Sequence, residues 1–346
     1  MNKTELMNII SALLKADSVS GDEKSISNVA AKLLSDSFTV NVNSAYNLTA
    51  EVCRNQNAKE HIMLDAHMDE IGLVVTSVDE NGFLRVSPYG GVDTRLCASA
   101  EVTVYGVRPL RGIIATLPPH LCTEEKAKKA IKPDEILIDI GYSKKQAEKL
   151  VSPGDNVVFC GEMTKLSGSK ITSKALDDRA GCAAVMCAAL MLRNVQLGCN
   201  VTLSLSTQEE VGIRGAKTAA YTVSPTMAIT VDVSYGNCPN TPADKCGKIG
   251  EGPMIGFSPV LDREMSRELV NIAKEKNIAC QYEIMSGETG TNADAISLSK
   301  GGVRTALVSI PLKYMHSPVE VVDVEDIFAT ARLIFEYVKK VGGCNG

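Results

Sequence analysis

The chain has 346 residues, room for one large domain or two ordinary ones. Hydrophobic residues make up 45% and charged residues 22%, so a packed core is expected and extended disorder is not. A net charge of -5 with no basic stripe, 4% aromatics and no Trp argue against a nucleic-acid partner and against stacking platforms for bases or sugar rings.

The 11 cysteines are an odd number and none forms a C-x-x-C pair. Several, such as Cys182 and Cys187, sit in apolar runs where a thiol behaves as a small hydrophobe, so a reducing compartment is expected. The first residues, M-N-K-T-E-L-M-N-I-I-S-A-L-L-K, are too interrupted by polar side chains for a signal peptide or a membrane span. Both observations point to the cytoplasm.

Leu6, Ile9, Ile10, Leu13 and Leu14 recur at helical spacing, with Thr4 as a candidate cap. After Ser18-Val19-Ser20-Gly21, a second stripe (Ile26, Val29, Ala30, Leu33) predicts another helix. Phe38, Val40 and Val42 alternate as a half-buried strand, and residues 61–66 (H-I-M-L-D-A) read as a buried strand ending at His67.

From 72 to 163 the texture changes. Residues 72–78 and 83–86 flank Asn81-Gly82, a hairpin signal. Residues 101–105, 112–117 and 156–160 read as further strands, and 143–151 as a helix opened by a Ser143/Gln146 capping box.

Alternation of strands and helices then resumes. Helices are predicted at 178–193, 262–276 and 324–341, and strands at 201–205, 226–231, 280–284 and 305–310. The expected fold is α/β, a mixed, mostly parallel sheet flanked by helices over 1–71 and 164–346, interrupted by a β-rich insert over 72–163.

In open α/β sheets, sites form outside the carboxyl ends of strands. Four segments there carry acids or histidines. In A-H-M-D-E-I-G, His67 follows the apolar strand and Asp69 can accept a hydrogen bond from its imidazole, or the pair is an ordinary buried His with its acceptor. In K-A-L-D-D-R-A-G, a helix cap explains one of Asp177 and Asp178 but not both. In T-Q-E-E-V-G-I-R-G-A, Glu209 and Glu210 stand side by side, which is costly unless a cation or proton lies between them; a solvated loop is the alternative. Asp232 ends the run M-A-I-T-V, and His316 precedes Ser-Pro in M-H-S-P-V-E; each alone is also an ordinary turn residue.

Taken together, these are oxygen and nitrogen donors from separate segments with no Cys among them. That set belongs to a hydrolytic metal centre rather than a structural zinc site. Carboxylate-rich, imidazole-assisted ligation suits two divalent cations.

These strings resemble the tetrahedral, TET-type metallo-aminopeptidases, the glutamyl-aminopeptidase-like co-catalytic zinc/cobalt peptidases. The resemblance extends to S-V-S-G-D-E near the start and G-T-N-A-D-A-I at 290–296, so it runs nearly end to end. It implies a zinc-exopeptidase-like fold and hydrolysis of N-terminal residues from peptide substrates. His67 and Asp232 would bind one metal, Glu210 and His316 the other, with Asp177 bridging. Glu209 would be the general base and Asp69 would orient His67. The cations would be zinc or cobalt, with manganese accepted by the same ligands. The insert would mediate dimer contacts in a homo-oligomer, a tetrahedral dodecamer in relatives. A metal-dependent glycosidase is the alternative, because some relatives carry an endoglucanase label. A metal-binding assembly protein without activity would leave Glu209-Glu210 without a task.

Overall fold

The computed structural model describes residues 2–121, 130–239 and 241–343. Helix α1 (Lys3–Leu14) buries the five apolar residues its spacing selects. Its cap is Asn2 rather than Thr4: Asn2 Oδ1 accepts the Glu5 N–H at 3.0 Å, and the Asn2 N–H donates to Glu5 Oε2 at 2.7 Å. This is a reciprocal capping box. After α2 (Lys24–Leu34), the chain forms a hairpin of β1 (Thr39–Val42) and β2 (Leu48–Cys53). Because β1 lies at the edge of its sheet, Val42 is exposed and Val40 only half buried, so the expected alternation is weak. Strand β3 (His61–His67) then enters the core.

Six strands close into a barrel: β4 (Gly72–Val78), β5 (Leu84–Tyr89), β6 (Glu101–Tyr105), β7 (Pro109–Ile114), β8 (Leu137–Asp139) and β9 (Asn156–Phe159). Their order is β4-β5-β8-β7-β6-β9, and β9 pairs back onto β4. Closure removes free edges, and Leu73, Val102, Val104, Ile138 and Val157 fill the interior. At the β4–β5 turn, Asp79 Oδ1 accepts the N–H groups of Asn81 and Phe83. The capping box of Ser143 and Gln146 opens α3 (Lys144–Ala147), which stops after four residues, short of Val151.

The chain continues through β10 (Thr164–Lys165), β11 (Lys170–Ser173), α4 (Leu176–Leu192), β12 (Asn200–Ser206), α5 (Arg214–Val223) and β13 (Met227–Tyr235). It ends with β14 (Met254–Phe257), α6 (Arg263–Glu275), β15 (Gln281–Ile284), α7 (Asn292–Ser297), β16 (Arg304–Leu312), β17 (Glu320–Asp323) and α8 (Val324–Val341). An eight-stranded sheet runs β1-β2-β12-β3-β13-β16-β14-β15, and its central strands β12, β3, β13 and β16 are parallel. One face packs against α1, α4, α6 and α8 in the main core. The other meets α5 and α7 through Met63, Ala216, Ala219, Ala220, Ala228 and Ile296.

Side chains alternate between faces along a strand. Leu64 and Ala66 of β3 therefore enter the main core, while Asp65 and His67 point to the α5/α7 side. Strand β13 does not end at Asp232; it remains paired with β16 through Tyr235, so Asp232 projects from within a strand. Helix α5 goes unread in the sequence because Gly215 looks like a turn signal. A Cβ at Gly215 would overlap the Thr207 backbone, so a helix can start this close to β12 only with glycine there.

A buried ionic cluster ties three of the motif-bearing segments together. Glu70 accepts from Lys174 Nζ at 2.5 Å and from Arg179 Nη2 at 2.8 Å, and it accepts the Ser18 N–H at 3.0 Å. Arg179 also donates to Leu13 O at the end of α1. Such a cluster tolerates burial because its charges are paired and hydrogen-bonded.

Candidate metal centre

His67 is the last residue of β3, and Asp232 projects from β13, the strand beside it. Glu209 and Glu210 lie in the turn that follows β12. Asp177 stands at the start of α4, where it and Asp178 have non-helical backbone angles. His316 lies between β16 and β17. The structure brings all six into one cluster, with His67, Asp177 and Asp232 buried and Glu209, Glu210 and His316 half-buried.

Asp177 is at its centre. Its Oδ1 is 3.2 Å from His67 Nε2, and its Oδ2 is 3.3 Å from His316 Nε2. His67 Nε2 also lies 3.9 Å from Asp232 Oδ1, and His316 Nε2 lies 3.4 Å from Glu210 Oε1. The donor atoms of His67, Asp177 and Asp232 fall within 4.8 Å of one another, as do those of Asp177, Glu210 and His316. A third trio, His67, Glu209 and Glu210, meets the same limit. The neighbouring Asp178 takes the capping role: its Oδ1 accepts the Gly181 N–H at 3.0 Å.

Both imidazoles are oriented by carbonyl acceptors. His67 Nδ1 lies 3.2 Å from Asp69 O, and His316 Nδ1 lies 2.9 Å from Gly91 O. A carbonyl can only accept, so each Nδ1 carries the proton and each Nε2 is left facing the carboxylates.

Asp69 lies against His67 on two sides: its carboxylate is 3.5 Å from His67 Nδ1 and its main-chain oxygen 3.2 Å. The same carboxylate also accepts the N–H groups of Glu209 (3.0 Å) and Glu210 (3.2 Å) and the hydroxyl of Ser20 (2.7 Å). Glu23 Oε1 accepts the preceding Gln208 N–H at 3.1 Å. Three successive backbone donors are thus held by buried carboxylates, which aims both Glu209 and Glu210 into the cluster.

The electrostatics are those of too many buried acids. Burial pushes Glu209 up to about 7 and Glu210 up to about 8, and it drives Asp232 and Asp178 well above the carboxylate range. Against the effect of burial, hydrogen bonds from His316 and His67 hold Asp177 below that range. Burial opposes protonation of the imidazoles, yet Asp177 and Glu210 push His316 up to about 10, and Asp177 and Asp69 raise His67 well above its ordinary value. Without another cation, protons must neutralise this set. Imidazole nitrogens and carboxylate oxygens, with no thiol among them, suit divalent zinc, cobalt or manganese.

Two contributors escape a sequence reading. Glu320, in the M-H-S-P-V-E string, accepts the N–H of Asp177 at 3.1 Å and that of His316 at 2.8 Å, so it joins two of the donor segments. Gly91 comes from the barrel region, and a Cβ there would overlap the His316 ring. A Glu four residues after a His was a visible signal; a backbone carbonyl 225 residues away was not.

Comparison with known proteins places this geometry. The model of the M42 glutamyl aminopeptidase family matches residues 47–333. A lysyl aminopeptidase from Pyrococcus furiosus is 34% identical over 276 residues, 79% of each chain. The fold superposes on an aminopeptidase from the archaeon Desulfurococcus kamchatkensis with a TM-score of 0.91, at 33% identity over 99% of this chain and 98% of that one. It also superposes on the TET1 peptidase of Pyrococcus horikoshii, which can assemble into a tetrahedron or a large octahedral shell. That TM-score is 0.85, at 32% identity over 96% and 99% of the two chains. The chain belongs to the M42 glutamyl aminopeptidase family and is a metal-dependent aminopeptidase.

Proposed function

We propose that this aminopeptidase works with two divalent cations, one held by His67 and Asp232 and the other by Glu210 and His316, with Asp177 shared. The observation that carries this reading is the Asp177 carboxylate, which turns each oxygen to a different imidazole. A carboxylate in that posture would be available to both cations. Zinc or cobalt fits the donors, and manganese is accepted by the same set. When bound, the cations would lower the pKa of water and polarise the carbonyl under attack.

The remaining work falls to the chain's own residues. Glu209 takes the proton of the attacking water and returns it to the leaving amine. Its carboxylate lies with His67 and Glu210 in one donor trio, close enough to the reacting centre for both transfers. Asp69 positions Glu209 through its backbone. The Nδ1–H donors to Asp69 O and Gly91 O keep each imidazole in the ligating tautomer. Carbohydrate clefts favour aromatic platforms, and a Trp-free chain with 4% aromatics is a poor candidate for a metal-dependent glycosidase.

We also read the chain as a homo-oligomer assembled through its barrel, with a tetrahedral dodecamer as the form the resemblance implies. Val107 (80% exposed), Leu117 (58%) and Leu121 (67%) concentrate apolar surface on this region. No described helix is long and apolar enough to cross a membrane. Free thiols at Cys97, Cys182, Cys187 and Cys280 accord with a cytoplasmic setting.

The direct test of the activity uses aminoacyl-anilides. Exhaustive chelation should abolish hydrolysis, cobalt or zinc should restore it, and N-acetylated substrates should not be turned over. Full activity after verified metal loss would sink the two-cation reading.

Glu209→Gln should retain both metals and lose roughly 10²–10⁴ in kcat. Glu210→Ala should lose one metal and recover in part at high metal concentration. Metal loss from the first variant and retention in the second would reverse these roles.

Gly91→Ala forces His316 to move and should weaken metal binding or activity roughly 10–100-fold, the usual scale for a residue that orients a ligand. An unchanged titration with metal would show that Gly91 does not set the His316 ring.

A further inference from the structure

On β13, Ser234 lies two residues past Asp232 and therefore on the same face of the sheet. Ser309 of β16 is the cross-strand partner of Asp232. Both hydroxyls donate to a single carboxylate, Glu283 of β15. Ser309 Oγ reaches Oε2 at 2.6 Å, and Ser234 Oγ reaches Oε1. Glu283 is thereby held on the side of the sheet that carries the metal centre. Its two hydroxyl partners are thus the residue two places past Asp232 on β13 and the residue directly across from Asp232 on β16.

Glu283 is half-buried, and the loss of solvent pushes its carboxyl above the ordinary range. Among the described residues, its polar partners are these two neutral hydroxyls, and no Lys, Arg or His pairs with it. Buried acids nearby have clear partners. Glu70 has Lys174 and Arg179, and Glu320 accepts two backbone N–H groups. A half-buried carboxylate with no countercharge is costly, and each of its oxygens keeps an unused lone pair.

Its surroundings on this face are apolar. Gly256, the cross-strand neighbour of Glu283, is flanked by Leu261, Leu307 and Met285, which cluster with Ala293. Tyr282 and Ile284 point to the opposite face of β15, so Glu283 is the acid this strand turns inward. An anion set beside packed hydrocarbon suits a side chain with a hydrocarbon stem and a cationic tip.

We propose that Glu283, braced by Ser234 and Ser309 beside Asp232, receives the ammonium or guanidinium of a basic N-terminal residue, so that the enzyme prefers Lys or Arg at the substrate's first position. This rests on the aminopeptidase reading of the adjoining centre. Glu283 acts on specificity and takes no part in bond cleavage.

The test compares anilides of lysine, arginine, norleucine and glutamate on metal-loaded wild type, Glu283→Gln and Glu283→Asp, with metal content measured on each. Norleucine matches the lysine stem without its charge. Wild type should favour lysine over norleucine by about tenfold or more in kcat/KM, and Glu283→Gln should remove most of that ratio. The loss should fall mainly in KM for lysine, with norleucine turnover and metal content held, and Glu283→Asp should keep part of the preference. Calorimetry with free L-lysine and L-norleucine should give the same contrast without turnover.

Parallel loss on every substrate would mean that the carboxylate serves the α-amine or the fold, and would overturn the proposal. So would a wild type that prefers norleucine or glutamate. Hydrolysis of none of the anilides by the metal-loaded protein would instead defeat the aminopeptidase reading, and this inference with it.

Discussion

Asp177, Glu209, Glu210 and Asp232 converge with His67 and His316 where water is largely excluded, and their mutual repulsion is the constraint the rest of the molecule answers to. Like charges at such separations raise one another's pKa, and burial adds to the effect. Two protonated imidazoles cannot neutralise four ionised carboxylates. The protein meets this by keeping some acids protonated or by accepting cations, and donors gathered into three trios, two of which share Asp177, favour cations. Metal affinity must then rise with pH, because bound cations displace protons from these same groups.

Holding such a cluster together requires neighbours whose own hydrogen bonds are complete. Asp69 and Glu23 grip three consecutive N–H groups of the Gln208–Glu210 turn. Glu320 grips the backbone of both Asp177 and His316. The Glu70–Lys174–Arg179 cluster fixes the segment after β3 against α4 and the end of α1. The barrel is part of this support, since Gly91 O orients His316. Its removal would therefore disturb the centre even though none of the proposed ligands lies within it.

Much of this can be read from the chain alone where a pattern is local. The stripe of α1, the strand ending at His67 and the span of α8 follow from periodicity. The donor residues stand out because each lies beside an apolar run. What sequence cannot supply is the division of labour between adjacent groups. Asp177 and Asp178 look equivalent until one is seen capping α4 and the other facing both imidazoles. Asp69 lies against His67 as H-x-D suggests, but the spacing gives no sign that its carboxylate also takes N–H groups about 140 residues away. Asp232 looks like a strand end because the apolar run stops there, while pairing with β16 carries β13 onward.

The account turns on two cations sharing Asp177, and anomalous diffraction from crystals soaked in zinc reads that directly. It should give two peaks per subunit, one against His67 and Asp232 and one against Glu210 and His316, each in contact with an Asp177 oxygen. A single peak, or two peaks that both lie away from Asp177, would contradict it.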